Sequence, residues 1–525
     1  MSIESTVSEA AIEQNLEQFL LVLSVSLSVA TLSRVFSWFR KIPYTLLLVI
    51  VGLGLAFVDV RLVNLSPALI LEIFLPPLLF EAAWNIRWRE LKQDLVPVSL
   101  FAVLGVVISV IGIALAISQL TTLPLTTALL VGASLSATDP VSVIALFREL
   151  GADKRLKILM EGESLFNDGV AVVAFSLLVG LPLGTEEFAL PTTFARFFAF
   201  VGIGIGVGCL IGFGISFLTQ RFDLPLVEQS LTLVSAYGTY LITEKVGGSG
   251  VIGVVTVGLI LGNFGSRIGM NPRTRLIVSE FWDFLAFFVN SIVFLLIGDQ
   301  INFSSLGQNL NLIAVTIGAV LVTRAIAIYG LGAISNWLAK SQIGWREQTL
   351  LWWGGLRGSV SIALALSVPI ALAGRQDIID AVFGVVLFTL LVQGLTTQVF
   401  LEKLGLIGDE PLRQKYSEAL ARRVALNRVK DYLLQAAKEK EIDSEFARYQ
   451  RELVQFQLES IQEQIDEMLK EHPELQAIDM EQLQEKMLDI EADTYAEFIR
   501  SGRLNERLSP LLQGALIEAD EKLLE

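Results

Sequence analysis

Long apolar stretches follow one another along the first 400 residues, and they restrict the fold more than any other feature of the sequence. Of all residues 53% are hydrophobic, and hydropathy separates the stretches into thirteen segments. About 20 apolar residues suffice for a helix to cross a bilayer. Backbone N–H and C=O groups that have no access to water must form their hydrogen bonds within the protein, as they do in a helix. We therefore predict an all-α polytopic membrane protein with spans at residues 19–34, 42–59, 65–84, 95–119, 124–147, 157–181, 193–219, 226–244, 250–264, 280–299, 310–335, 347–371 and 377–401.

The composition changes near residue 400. Residues 401–525 hold 28 of the 54 acidic residues and 17 of the 39 basic ones, so most of the net charge of −15 lies there. Apolar residues recur at spacings of three and four, as at Ile461, Ile465, Met468 and Leu469, which predicts an amphipathic helix. We predict a cytoplasmic helical domain at 402–525 after a transmembrane domain at 19–401. Its role is open between a regulatory or dimer-stabilising module and a solvated extension.

Basic residues in the loops favour one orientation in the membrane. With the N-terminus outside, the cytoplasmic loops collect sixteen Lys and Arg residues and the outer loops four. Residues 1–18 contain four glutamates and no base, so they are an extracytoplasmic segment rather than a secretory signal. We expect a plasma (inner) membrane protein with a cytoplasmic C-terminus. The acidic balance argues against nucleic acid as a partner.

Two spans are interrupted at corresponding places. The fifth contains Thr138-Asp139-Pro140, where proline removes a backbone donor, and the twelfth contains glycines around Arg357. Each is the penultimate span of a six-span block, and the seventh span lies between the blocks. Paired interruptions of this kind indicate a transporter site built from inverted repeats.

The sixth span carries an acid deep in the membrane. Asp168 lies about eleven residues, or roughly 16 Å, along this helix, near the middle of the hydrocarbon core. Such a carboxylate indicates an ion or proton pathway, although half of a structural ion pair is the alternative. Ser164 and Asn167 share its helix face. Glu163 lies about 140° around the helix and is therefore the natural partner for Arg324, a base inside a span.

Several other polar residues have two readings. Thr138 and the carbonyls freed at the break are hard-oxygen ligands for an alkali ion, whereas Asp139 either caps a half-helix or contacts the ion. Arg357 either compensates the facing half-helix ends or pairs with Asp139. Glu81 either lines the inner access route, and joins the ligands, or reaches to the interface. Three further residues rank below these. Glu72 is an alternative functional acid, Asn290 is expected to pack helices through hydrogen bonds, and Asp283 is expected to lie at the membrane interface.

The motifs resemble one family across residues 15–400. They are Leu75-Pro-Pro-Leu-Leu-Phe-Glu81-Ala, Ala137-Thr-Asp-Pro140, Gly162-Glu-Ser-Leu-Phe-Asn-Asp-Gly169, Phe281-Trp followed by Asn290 and Phe294-Leu-Leu-Ile-Gly298, and Gly354-Gly-Leu-Arg-Gly358. In this order they are similar to the NhaP/NHE branch of the cation:proton antiporters. One departure is Ala83, where relatives often have glycine.

The resemblance implies thirteen spans in two inverted repeats with crossed, broken helices, a homodimer in membrane lipid, and exchange of Na⁺, often Li⁺, for H⁺. It implies no enzyme activity and no cofactor. Asp168 would be the essential ligand, with Glu81, Ser164 and the Thr138 region completing the ion site. Asn167 would support the geometry, and Glu163 would pair with Arg324. The Asn167-Asp168 pair is typical of exchange of one cation per proton, which is electroneutral.

We therefore expect Na⁺ and H⁺ to compete at Asp168, and we expect the site to move across the membrane only when it holds one of the two. An uncompensated anion would be costly to carry across. A K⁺/H⁺ antiporter of the same fold remains an alternative, because spacing does not determine selectivity. A cation channel gated by the tail is a further one, although the sequence has no ring-forming filter motif.

Overall fold

The structure is a computed structural model, and it describes residues 2–35, 42–58, 62, 66–185, 189–220, 224–266, 270–339, 341–407, 410–438, 444–472, 475 and 494. All regular elements in these ranges are helices. The chain separates into two compact units, Met1–Leu406 and Ile407–Glu525.

Besides the π-helical turn Leu69–Phe74, the first unit contains seventeen helices in its described part, and all of them except Trp88–Gln93 and Phe303–Gln308 overlap the predicted hydropathic segments. They are α1 (Ser2–Val35), α2 (Tyr44–Phe57), α3 (Leu75–Asn85), α4 (Trp88–Gln93), α5 (Leu95–Leu120), α6 (Leu125–Ser134), α7 (Val141–Leu150), α8 (Lys154–Leu178), α9 (Leu190–Thr219), α10 (Pro225–Val246), α11 (Gly250–Gly265), α12 (Pro272–Asp299), α13 (Phe303–Gln308), α14 (Leu310–Ala339), α15 (Trp345–Trp353), α16 (Ser359–Leu366) and α17 (Arg375–Leu404).

Five helices in the described part of the chain are individually long and apolar enough to cross a membrane. They are Leu95–Leu120, Leu190–Thr219, Thr274–Asp299, Leu310–Ala339 and Arg375–Leu404. Shorter apolar helices lie at Gln18–Ser33, Tyr44–Phe57, Leu125–Ser134 and Gly250–Gly265. The π-helical turn Leu69–Phe74 directly precedes α3. The acidic segment predicted at residues 1–18 is helical from Ser2 and continuous with the first span.

Most helices of the first unit form two groups that alternate along the chain. Helices α1 to α3 and α9 to α12 pack mainly on one another, and we call them the first helix group. Helices α5 to α8 and α14 to α17 form the second helix group. Each group therefore combines a segment from the first half of the membrane unit with one from the second half.

Small residues permit the closest approaches inside the first helix group. A side chain at Gly52 of α2 or Gly298 of α12 would collide with the backbone of the facing helix. On α9, Gly204, Gly208 and Gly212 are buried against α11, so small residues on this face let the two helices pack closely.

Both predicted interruptions are present, in the second helix group, and they lie against each other. The first separates α6 from α7 at residues 135–140, and the second separates α15 from α16 at residues 354–358. The backbone N–H of Asp139 donates to the carbonyl oxygen of Leu356 at 2.8 Å. The two unwound segments are thus directly bonded, and four half-helix ends meet where they touch.

The second unit contains a helical hairpin of α18 (Glu410–Lys438) and α19 (Ser444–Glu471). Tyr416, Ala419, Ile465 and Leu475 form its buried apolar cluster. Side-chain hydrogen bonds from Arg423 to Gln462 at 3.1 Å and from Lys430 to Gln455 at 2.8 Å join the two helices. The amphipathic helices of the tail therefore pack around a small apolar core of their own.

Candidate functional site

A cavity of about 920 Å³ lies between the two helix groups. Its first wall comes from α2, α3 and α12, and its second wall from the unwound residues 137–140, from α7, α8 and the start of α16. Most of its lining is apolar, and its polar side chains come from a few positions, among them Glu81, Thr138, Asp139, Ser164 and Asp168.

Asp168 lies on the cavity wall in the middle of α8. Its carboxylate oxygen Oδ1 is buried and accepts no hydrogen bond from the described residues. A buried polar atom without a partner is costly, and in native structures it usually marks a functional group or the place of a water or ion. This oxygen is therefore available to bind a proton or a cation.

Hydrogen bonds join α8 to the first unwound segment beside Asp168. The hydroxyl of Ser164 donates to the carbonyl oxygen of Thr138 at 2.5 Å. The amide Nδ2 of Asn167 donates to the hydroxyl of Thr138 at 2.6 Å, and its Oδ1 accepts from the backbone N–H of Thr138 at 3.2 Å. Asn167 thus fixes Thr138, whereas Thr138, Ser164 and Asp168 also line the cavity.

Asp139 lies at the N-terminal ends of two half-helices. Its Oδ1 accepts from the backbone N–H of Val141 at 3.2 Å, at the start of α7, although Pro140 occupies the N-cap position itself. The carboxylate also lies beside the start of α16, next to the backbone of Gly358 and Ser359. Gly358 lies directly against Asp139, where a side chain would collide with the carboxylate. One anion therefore stabilises the two positive helix ends that meet here.

Glu163 and Arg324 form the buried ion pair that the sequence predicted. Nη1 of Arg324 lies 2.9 Å from Oε1 of Glu163, and Nη2 donates to Oε2 at 3.1 Å. The guanidinium also donates to the carbonyl oxygens of Leu351 and Trp352, which lie in the last turn of α15. As predicted, Glu163 and Asp168 point to different neighbours, and Glu163 does not line the main cavity.

Arg357 compensates a half-helix end, which was one of the two roles considered from the sequence. Its Nη1 donates to the carbonyl oxygens of Ser136 and Ala137, at 3.3 and 3.0 Å, just after α6. Arg324 and Arg357 thus each cap a negative half-helix end, opposite to the role of Asp139. Each of the four helix ends at the crossing faces a side chain of opposite charge.

Sequence reasoning missed a polar cluster on the opposite wall. Nδ2 of Asn85 donates to Oε1 of Glu81 at 2.6 Å and to Oδ1 of Asp283 at 3.1 Å, and all three residues line the cavity. Asn85 lies four positions after Glu81, on the same helix face, so helical spacing was an available signal. No spacing connects either residue with Asp283, which the sequence placed at the interface.

The remaining acids and amides divide between the cavity and other surfaces. Asn290, interpreted from the sequence as a helix-packing residue, lines the cavity, as does Glu161, whose Oε1 lies 3.5 Å from the ammonium group of Lys157. Glu72 is an exposed residue of the π-helical turn and does not line the cavity. The cavity thus combines Asp168, hydroxyl and carbonyl oxygens, and acids on the facing wall, which are hard-oxygen groups suited to a small cation or a proton.

Comparison with known proteins agrees with this arrangement. The sequence profile of the family described as sodium/hydrogen exchanger, transmembrane, matches residues 23–403. The chain is 68% identical to the Na⁺/H⁺ antiporter ApNhaP of Aphanothece halophytica, over 99% of this chain and 100% of that protein. It is 62% identical to the low-affinity Na⁺/H⁺ antiporter NhaS1 of a Synechocystis species, over 97% and 98% of the two chains.

A solved structure has the same fold. The sodium proton antiporter MjNhaP1 of Methanocaldococcus jannaschii superposes with a TM-score of 0.60 at 22% identity, over 75% of this chain and all of that one. The family profile covers well over half of the chain, and it includes both interrupted helices and the cavity between the groups. The chain therefore belongs to the sodium/hydrogen exchanger family.

Proposed function

We propose that this protein is a secondary active antiporter that exchanges Na⁺, or Li⁺, for H⁺ by competition at Asp168. The observation that carries the proposal is the unpartnered oxygen of Asp168 in a cavity between two helix groups. The full-length relatives named as Na⁺/H⁺ antiporters support the substrates. Proteins of this family transport ions and are not enzymes, and the ions are substrates rather than cofactors.

The ion site comprises Asp168, Glu81, Ser164 and Thr138. Asp168 takes either a proton or a cation, and oxygens of the other three complete the coordination of the cation. The bonds from Asn167 and Ser164 to Thr138 support this assignment, because they hold Thr138 beside the carboxylate. Asp139, Arg357 and the Glu163–Arg324 pair maintain the crossing of the half-helices and do not contact the ion.

Transport follows from movement of the second helix group, which carries Asp168, relative to the first. Contacts between the groups are sparse compared with those inside each group, which supports such a movement. One of them joins the hydroxyls of Thr45 and Ser142 at 2.7 Å. An empty anionic site crosses the membrane poorly because its charge is uncompensated, so flux of one ion requires return of the other.

The topology proposed with this function has thirteen spans in two inverted repeats, at residues 19–401. The alternation of the two helix groups along the chain supports the repeats. Residues 1–18 lie outside, and the domain at 402–525 lies in the cytoplasm, as the positive-inside rule predicts. We propose a homodimer in the plasma membrane that exchanges one cation per proton.

The test of the proposal is transport in proteoliposomes. An imposed pH gradient should drive saturable Na⁺ uptake. Asp168→Asn should abolish this uptake, because the neutral asparagine side chain lacks the carboxylate that binds either Na⁺ or H⁺. At lower pH the apparent KM for Na⁺ should rise while the maximal rate stays constant, since protons displace Na⁺ from one group. Retained exchange by Asp168→Asn, or a KM independent of pH, would refute competition at this residue.

The same assay separates the alternatives. Comparing Na⁺, Li⁺ and K⁺ distinguishes a sodium from a potassium antiporter, and an imposed voltage distinguishes electroneutral from electrogenic exchange. A channel cannot accumulate one ion against its gradient at the cost of the other. Uptake that follows only the electrochemical gradient of the cation would therefore exclude an antiporter.

A further inference from the structure

Asn85 is the last residue of α3, and its side chain faces the cavity beside two acids. Its single nitrogen Nδ2 donates to Oε1 of Glu81 at 2.6 Å and to Oδ1 of Asp283 at 3.1 Å. Glu81 lies on the same helix, whereas Asp283 lies on α12. Both carboxylates are therefore within hydrogen-bond distance of one neutral amide group.

Two ionised carboxylates that share one donor repel each other, and the donor offsets part of that repulsion. A lysine or arginine in the place of Asn85 would also hold them, but it would cancel one negative charge. Because the carboxamide is neutral, the bridging group adds no positive charge of its own between the two acids of the cavity wall. Charge of one sign in a cleft with low-dielectric walls raises the local concentration of cations.

We propose that Asn85 is a positioning residue for cation binding: it holds Glu81 and Asp283 as an adjacent pair that captures Na⁺ before it reaches Asp168. This inference rests on the exchange proposed above and adds Asn85 and Asp283 to it. Asn85 does not itself ligate the ion. Its contribution should appear in the apparent affinity for Na⁺ and not in the rate of the loaded carrier.

The test compares Asn85→Leu with the full-length wild type in proteoliposomes, because leucine keeps the volume and removes both hydrogen bonds. The apparent KM for Na⁺ should rise about tenfold, the effect of losing donors to charged groups, with the maximal rate within twofold. Asn85→Gln keeps the amide and should recover most of the affinity. Asp283→Asn should also raise the KM, and combining it with Asn85→Leu should give less than the product of the two effects.

The chain offers a matched control on the same two helices. Nε1 of Trp84 donates to the hydroxyl of Ser279 at 3.0 Å, so Ser279→Ala removes a hydrogen bond between α3 and α12 outside the cavity. Its KM for Na⁺ should stay unchanged. A KM within twofold of wild type in Asn85→Leu, an equal rise in Ser279→Ala, or a fall confined to the maximal rate would each overturn the role of Asn85.

The same experiment separates this inference from the proposed function. A wild type that exchanges Na⁺, with an inactive Asp168→Asn and an unaltered Asn85→Leu, would overturn the role of Asn85 alone. A wild type that does not exchange Na⁺ for H⁺ would overturn both. If Asn85→Leu folds poorly, Asn85→Ala, which also removes both hydrogen bonds, gives the same KM comparison alone and in the Asp283→Asn background.

Discussion

At the scale of single residues, the Glu163–Arg324 pair stabilises the membrane unit through several contacts at once. Both side chains are buried, and Arg324 binds two carbonyl oxygens in addition to the carboxylate. Desolvating an ion pair is costly, so such a pair is tolerated where its remaining donors find acceptors. Removal of one partner leaves the other charge buried and uncompensated.

We predict that Glu163→Gln destabilises the membrane unit by about 3–5 kcal/mol, because Arg324 then lacks its counter-charge. Glu90→Gln is a suitable control, since Glu90 pairs with the partly exposed Lys154 and Arg87 in the same unit. Its loss should cost at most about 1 kcal/mol. The midpoint of thermal unfolding in detergent measures both variants. Equal decreases would contradict a special role for the buried pair.

At the scale of helices, close backbone contact decides which glycines are required. Gly52 of α2 faces Gly298 of α12, and an added side chain at Gly52 would meet the backbone oxygen of Leu295. Gly54, two residues later on the same helix, has open space around it. Chemically identical substitutions at these neighbouring positions should therefore have opposite effects.

We predict that Gly52→Ala forces α2 away from α12 and destabilises the protein by about 1–3 kcal/mol, the usual cost of overpacking. Gly54→Ala should be neutral or stabilise by up to about 1 kcal/mol, because alanine is the better helix former. Thermal unfolding of the two purified variants compares them directly. A loss of stability in Gly54→Ala as large as in Gly52→Ala would show that the helix contact is not responsible.

At the scale of the whole molecule, the chain consists of a membrane unit and a hairpin-containing tail, each with its own apolar core. The cavity and all the residues proposed for the ion site lie in the first unit. Transport itself should therefore not require the tail.

We predict that a protein ending at Leu406 still inserts, folds and exchanges Na⁺ for H⁺. Its thermal midpoint and its maximal rate in proteoliposomes should stay close to those of the full chain, because no proposed ligand is removed. A shift of the pH dependence would show that the tail regulates exchange, and an identical profile would show a solvated extension. Loss of exchange by a folded truncated protein would contradict the assignment of the whole site to the first unit.

The sequence alone determined the features that depend on local spacing and on the cost of burial. Apolar length predicted membrane helices, Pro140 and the glycines beside Arg357 predicted the two breaks, and the depth of Asp168 singled it out. The angle around α8 separated Glu163 from Asp168, and the cost of burying Arg324 inside a span made Glu163 its expected partner. These features follow from helix geometry within one segment or from the cost of burying a charge.

Tertiary structure decided which segments meet. Asn85 and Asp283 are 198 positions apart, and Asp139 bonds to Leu356 across an even longer interval. The choice of Arg357 between two partners likewise depended on how the two unwound segments lie against each other. Packing of apolar helix faces sets these contacts, and many arrangements satisfy the same hydropathic pattern. The polar groups of a transport cavity come together only once that packing has selected one of them.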